Sequence, residues 1–325
     1  MSQAALPVRA ARLLDGRGGM QSLDAAGLRN WSRSDDPLWV DVDLNSSAAR
    51  SWVREQAMLE RTAVDNLLAS ETRPRAVATA SGLLIVLRGV NLNPGADPED
   101  MVAVRVWLDD KRVITSRRRR TLSVQDVADA LEAGTGPTST GSFLVFLVAR
   151  LTDRIGKVVE QIEEETDSVE LQLPVGDIAK LREQLADLRR QVASIRRFLA
   201  PQRDALDRLY RQPGPMLTDL ESQELREETD RLTRHLEDLD LARERALVTQ
   251  EELMNRIAQE QNQRVYLLSV IAAIFLPLSF LTGLLGMNVA GLPGTEAPYG
   301  FVVSAVTMIV LGVGMTLFFR WKRWI

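Results

Sequence analysis

The chain has 325 residues, 26% of them charged, with a net charge of −4 and a single histidine. That length supports a sizeable core and more than one domain, and the acidic balance gives no footprint for a nucleic-acid partner. The absence of cysteine excludes disulfides and thiolate metal sites, and it leaves the redox compartment unmarked. The N-terminal stretch MSQAALPVRAARLLDG has no apolar core, so no secretory signal is expected.

Residues 1–135 are expected to form an α/β domain. PLWVDVDL (37–44) alternates like a strand, and SAARSWVREQAMLERTAVDNLLA (47–69) has the pattern of one helix capped by Ser47. RAVATASGLLIVLRGV (75–90) predicts one or two strands. MVAVRVWLDDKRVITSR (101–117) predicts a hairpin turning at Asp109-Asp110-Lys111. The Arg117–Arg120 run that follows is expected to be a solvated loop. SVQDVADALEAG (123–134) predicts a short helix with Ser123 at its cap and Gly134 at its end.

A Gly/Thr linker, GTGPTSTG (134–141), opens a region that is almost all helix. Residues 136–263 are expected to be a helical stalk: one helix over 142–173, a second over 177–211 with a possible kink at Pro201, and a break at RQPGPM (211–216). From Leu217 there is no Pro or Gly until Pro277, which predicts one helix through 285, on the order of 100 Å at 1.5 Å per residue. Such a helix needs neighbours along its length, and side-by-side copies of the chain supply them most simply. EQIEEETDSVE (160–170) has six acidic residues and no basic one; between Leu217 and Gln263 there are thirteen acidic residues and six arginines. Two readings stand. One is a solvated helix face with pairs such as Glu227–Arg231 and Asp230–Arg234. The other is an acidic field that concentrates cations. His235, the lone imidazole, is expected to be a solvated surface residue.

Residues 264–325 read as a membrane domain with helices over about 265–285 and 299–319. Val265–Thr295 and Ala297–Phe319 carry no charge, and each can cross a hydrocarbon core of about 30 Å as helix. The competing reading is a pair of buried core helices in a soluble protein, which apolarity on every face disfavours. Arg264 precedes the first run, Arg320, Lys322 and Arg323 follow the second, and the loop between holds only Glu296. That asymmetry places both termini in the cytoplasm.

Two spans per chain enclose no pore, so a conducting assembly needs several copies. The seam Gln261, Val265, Leu268, Ala272, Phe275 or Leu276, Ser279 and Thr282 or Gly283 repeats in threes and fours, as in a bundle. Leu268 and Leu276 would make apolar rings able to gate by dewetting; Ser279 and Thr282 would add hydroxyls. Asn288 follows the last apolar turn. It is either a plain helix end after Gly286 or, in a ring of copies, a set of amide oxygens holding a dication through its own waters.

Gly286-Met287-Asn288 closing FLPLSFLTGLLGMN, a second span after it and the terminal RWKRWI resemble the CorA superfamily of divalent-cation transporters. The loop VAGLPGTEAPYGF (289–301), with RPRAV (73–77), LRGVN (87–91), VAVRVW (102–107) and APQRDAL (200–206), resembles its ZntB branch, associated with zinc. The resemblance covers most of the chain. It implies an α+β cytoplasmic domain, long stalk helices and two C-terminal transmembrane helices in a homopentameric funnel, in the bacterial inner membrane. It carries the metal-selecting role to Gly286, Met287 and Asn288, and the pore-facing role to Leu268, Leu276 and Ser279. Zinc is the implied cargo, with magnesium, cobalt, nickel or cadmium as alternatives, and no resident cofactor. The residues themselves neither require nor exclude zinc, since bound zinc favours imidazole or thiolate. No nucleophile–base pair, phosphate loop or His/carboxylate cluster supports an enzyme. A magnesium/cobalt channel and a non-conducting membrane-anchored coiled coil remain as competing functions.

Overall fold

The computed structural model describes residues 6–70, 72–79, 81–287 and 298–322. It divides into two compact units, Met1–Gln250 and Glu251–Ile325.

The first unit is built on a seven-stranded sheet of order β2-β1-β3-β7-β6-β5-β4. Its strands are β1 Ala10–Leu14, β2 Met20–Ser22, β3 Leu38–Asp43, β4 Arg75–Ala78, β5 Leu83–Gly89, β6 Val102–Leu108 and β7 Arg112–Arg117. Only β3 and β7 pair in parallel, joining Trp39 to Val113 and Asp41 to Thr115; every other pairing is antiparallel. The β6–β7 hairpin turns where expected, with Asp109 Oδ1 accepting from the backbone N–H groups of Lys111 and Arg112.

Helices α1 (Ala25–Asn30), α2 (Ser47–Glu55) and α3 (Arg61–Leu68) come next in the chain's helical order. The single helix expected over 47–69 is two, because Met58 takes a φ of 49° between them. A left-handed residue cannot continue a right-handed helix. The cap is Ser46, whose hydroxyl accepts from the Ala49 N–H, and not Ser47. Trp52, Val53, Ala63 and Leu67 pack with Val40, Val42, Leu84, Trp107 and Ile114 into a continuous apolar core.

α4 (Leu122–Glu132) and α5 (Thr140–Gln172) also pack on the sheet unit. α4 begins after Thr121, so Ser123 is not its cap; the buried Ser123 hydroxyl donates to the Arg150 carbonyl instead. Ser139 and Ser142 form a reciprocal capping box at the start of α5. Phe143 of α5 lies 4.9 Å from the Trp39 ring, and the Trp39 indole donates to Thr115. Arg117 leaves the solvated loop expected of it: it is 4% exposed and bonded to Asp41, also 4% exposed, at 2.6 Å. Arg118, Arg119 and Arg120 are exposed.

α6 (Ile178–Arg211) starts at the Asp177 cap and runs through Pro201; a short 3-10 turn, Gly214–Met216, follows. α7 is one helix from Asp219 to Leu285, and α8 spans Gly300–Trp321. In the first unit, α7 buries Ser222, Leu225, Thr229, Leu232, Leu236, Leu239, Ala242, Ala246 and Thr249, spaced by threes and fours. That spacing keeps one stripe of the helix on its neighbours.

Candidate cation pathway

α7 presents different chemistry in each unit. In the first, its polar faces are knitted to α5 and α6. Arg231 bonds Asp153 of α5 at 2.5 Å and Glu228 at 3.0 Å, replacing the expected Glu227–Arg231 pair. Arg245 reaches Glu170 and Asp167 of α5, both at 2.5 Å, and Arg196 of α6 reaches Asp240 at 2.8 Å. The acidic run 160–170 is therefore partly neutralised from across the helix pair, and it is not simply a solvated face. Two bonded carboxylates push the Arg245 guanidinium pKa upward. Burial, helped by Asp238 and Asp167, raises the Glu163 carboxyl.

His235 is not the surface residue expected. Its side chain is 20% exposed and lies on Gly156 of α5, where an added Cβ would come within 2.9 Å of the imidazole Cε1 and Nε2. Its Nε2 is buried without a hydrogen-bond partner among the described residues, and burial lowers its pKa despite Asp238. A neutral imidazole so placed fills space over a glycine. Among the described residues, no group of three or more His, Cys, Asp or Glu side chains is arranged to hold a metal ion.

In the second unit, from Val265 onward, α7 is apolar and largely uncovered. Both α7 and α8 are long and apolar enough to cross a membrane, and almost none of either apolar stretch is buried. Leu268 is 66% exposed and Leu276 74% exposed, which a buried core helix of a soluble protein would not be. One stripe of α7 is less exposed than the rest: Val270, Ile274, Pro277, Leu278 and Leu281. The matching stripe of α8 is Ser304, Ala305, Met308, Gly312, Met315 and Phe319. At Gly312 the helices come close enough that a Cβ would meet Leu278 Cδ1 at 3.6 Å. At about 100° per residue, the seam of Leu268, Leu276 and Ser279 lies roughly opposite the Val270–Leu281 stripe. Leu268, Leu276, Ser279 and Thr282 are all exposed.

The hydroxyls of Ser269, Thr282, Ser304, Thr307 and Thr316 turn inward on their own helices. Thr282 donates to the carbonyls of Ser279 (2.9 Å) and Leu278 (3.1 Å), and Ser269 donates to Val265 at 2.8 Å. In a medium without water this satisfies each donor locally, and the oxygen lone pairs stay free to accept. At the end of α7, the Gly286 N–H donates to the Thr282 carbonyl at 2.9 Å and the Met287 N–H to Leu284 at 3.4 Å. Gly286 is not in the left-handed conformation. Its lack of a side chain matters because a Cβ would sit 3.0 Å from the Thr282 oxygen. Met287 is 48% exposed. Asn288 lies outside the described residues.

A helix running from a charged, ion-paired stripe into an apolar span, followed by a second span, is matched by a family model: that of the CorA-like Mg2+ transporter protein, over residues 34–323. The chain belongs to the CorA-like Mg2+ transporter family. It is 40% identical to the divalent cation transporter CmaX of Pseudomonas aeruginosa, over 96% of this chain and 95% of that one. It is 33% identical to the zinc transport protein ZntB of Yersinia enterocolitica, over 96% and 94%. Its fold matches full-length CmaX with a TM-score of 0.85 at 38% identity, each chain wholly covered. It also matches the CorA magnesium transporter of Methanocaldococcus jannaschii, with a TM-score of 0.84 over 98% and 99% of the two chains; at 17% identity that likeness concerns the fold alone. Family membership makes this CorA-type chain a divalent-cation transporter and not an enzyme.

The seam was legible as a period, but its orientation was not. The residues that orient it are Val270, Ile274, Leu278 and Leu281, which look like any other apolar positions in the run. Gly312 in the second span was the available signal, since a small residue there permits close helix approach.

Proposed function

We propose that copies of this CorA-type chain assemble around a common axis as a homopentamer in the bacterial inner membrane. Residues 1–263 and the C-terminus face the cytoplasm. The seam Leu268, Leu276, Ser279 and Thr282 lines the path, and Gly286, Met287 and Asn288 form its mouth. On this account the chain falls into a cytoplasmic α/β domain (1–135), a helical stalk (136–263) and a membrane domain (264–325). The observation that carries the proposal is the placement of Leu268, Leu276 and Ser279 opposite the stripe that packs on α8, with Thr282 at the edge of that face and exposed, which leaves the seam open to neighbouring copies or water.

At the mouth, a ring of neutral Asn288 oxygens holds a dication through its hydration shell. A ring of carboxylates would bind more tightly and release more slowly. Leu268 and Leu276 form apolar constrictions below, and between Leu276 and the mouth the Ser279 and Thr282 oxygens accept from the ion's waters. Zinc is the proposed cargo, because relatives named for zinc transport match almost the whole chain at 33% and 35% identity. A second reading, magnesium or cobalt, is favoured by the oxygen-only chemistry of the seam. Uptake of zinc, magnesium and cobalt into vesicles holding the purified protein, with and without a pH gradient, separates the two. Zinc flux above magnesium flux is expected, and magnesium flux alone would replace the zinc reading with the magnesium one. Asn288→Ala is expected to abolish uptake per assembled oligomer. Were Asn288 only a helix end, Ala would cost about 1 kcal/mol of stability and leave that flux unchanged.

A further inference from the structure

The sheet unit holds a cleft of about 780 Å³ whose lining is dominated by arginine. The strand register builds it. Arg75 of β4 and Arg105 of β6 both stand opposite Val86 of β5, one on each side, and Arg88 stands opposite Ala103. These side chains therefore share one face of the sheet. Arg73, Arg118, Arg119 and Arg197 add four more guanidinium groups around it. Among the described residues, two carboxylates, Glu99 and Asp100, line the same cleft.

Arg105 is the unusual member. It is 1% exposed, and its Nη2 donates to the carbonyls of Ala69 (2.7 Å) and Ser70 (3.4 Å). Its Nε is buried without a partner among the described residues. The hydroxyl of Thr72, on the same cleft and also buried, is likewise unpartnered there. Elsewhere in this unit buried arginine is matched to carboxylate, as in Arg117 with Asp41. Among the described residues no carboxylate pairs with Arg105; a buried guanidinium without a counter-charge is costly, and a buried donor left unpaired adds to that cost. Burial and the neighbouring Arg118, Arg88 and Arg75 lower the Arg105 pKa to about 10, which an anion at this position would reverse.

From this geometry we infer that the Arg105 cleft is a binding site for a small polyphosphate anion, a pyrophosphate or triphosphate group. Among the described residues seven arginines face two carboxylates, an excess that calls for more than one negative charge, and planar guanidinium forks suit phosphoryl oxygens. The volume exceeds what one orthophosphate fills. The aromatic ring at the cleft, Phe198, is covered by the guanidinium groups of Arg88 at 4.4 Å and Arg197 at 5.5 Å. With arginine already on that ring, the site is assigned to phosphate charge and not to a base.

Calorimetric titration of the full-length protein in detergent, with chelator present and at fixed ionic strength, tests this. Pyrophosphate and ATP should each bind saturably with similar affinity, orthophosphate at least about tenfold more weakly, and adenosine not at all. The variant with Arg118→Ser and Arg119→Ser alters exposed positions and should weaken pyrophosphate binding by about tenfold or more. Arg105→Met should abolish it. Should that variant fail to fold, the exposed double variant decides alone. No saturable binding of pyrophosphate to the wild type would overturn the proposal, as would unchanged affinity in the double variant. Binding of ATP and adenosine alike, without pyrophosphate, would also overturn it by pointing to a base-reading pocket.

Discussion

The same helix solves two different problems along its length. Up to about Gln250, α7 buries one apolar stripe; on its other faces Arg231 and Arg245 bridge to α5, and Asp240 takes Arg196 from α6. Beyond Arg264 it has no charge, the Ser269 and Thr282 hydroxyls bond their own helix, and most of its large side chains are uncovered. Water explains the first pattern: apolar area must be hidden, and charges can remain outside. Lipid explains the second, because outward apolar groups cost nothing there and every polar donor must be satisfied within the helix. A single periodicity of threes and fours therefore means core packing in one half. In the other it means a choice between a partner helix, lipid and a neighbouring copy.

The comparison breaks most sharply under truncation. Leu239 is fully buried, so Leu239→Ala should destabilise the protein by about 2–5 kcal/mol through the cavity it leaves. Leu276→Ala, at an exposed position, should leave the melting temperature of the detergent-solubilised protein almost unchanged while altering cation flux. Equal thermal losses in the two variants would show that the halves do not differ as described. Next in size is Gly156→Ala, which drives a Cβ into His235 and should cost about 1–3 kcal/mol. Adding His235→Ala should recover much of that loss, and a double variant as unstable as the sum of both would contradict the contact.

Smaller effects sharpen the electrostatic side. Arg245→Ala removes a two-carboxylate bridge that is one-third exposed, so a loss of about 0.2–1 kcal/mol is expected, shrinking as salt is added. A salt-independent loss would mean that packing of the arginine stem is what matters. The smallest effect is that of pH. Burial holds the His235 imidazolium below the ordinary histidine range, so the unfolded chain takes up a proton that the folded chain refuses. Stability should fall as pH drops from about 6.5 toward the lower folded value, and His235→Gln should remove that part of the slope. Identical pH profiles for wild type and variant would refute it.

What the sequence disclosed follows from how local each determinant is. α7 was legible almost to the residue, because an unbroken run without Pro or Gly is a local property, and so were the Asp109 turn and both apolar spans. The first two strands were missed: Ala10–Leu14 and Met20–Ser22 are short, the first held by pairing with β3 and the second only by pairing with the first. The break at Met58 carries no Gly or Pro to announce it. Arg117 looked like part of a charged loop because its partner, Asp41, lies 76 residues away and meets it only through the parallel β3–β7 pairing. His235 was misjudged for the same reason, since the glycine beneath it belongs to another helix. At the candidate site, the seam's spacing was readable, whereas its orientation depended on contacts with α8. Arg105 went unremarked within VAVRVW, because one arginine in a strand gives no hint that register will gather others beside it.

The central claim is that the Leu268–Thr282 seam faces an aqueous path while the Val270–Leu281 stripe is sealed on α8. The chain has no cysteine, so single cysteines can be placed on either face without background. Ser279→Cys and Leu278→Cys are adjacent in sequence and lie on different faces of the helix. The measurement is cation flux in vesicles before and after a water-soluble, charged thiol reagent. The account predicts that the reagent modifies and blocks Ser279→Cys while leaving Leu278→Cys unmodified and conducting. Block of Leu278→Cys with Ser279→Cys untouched would contradict it.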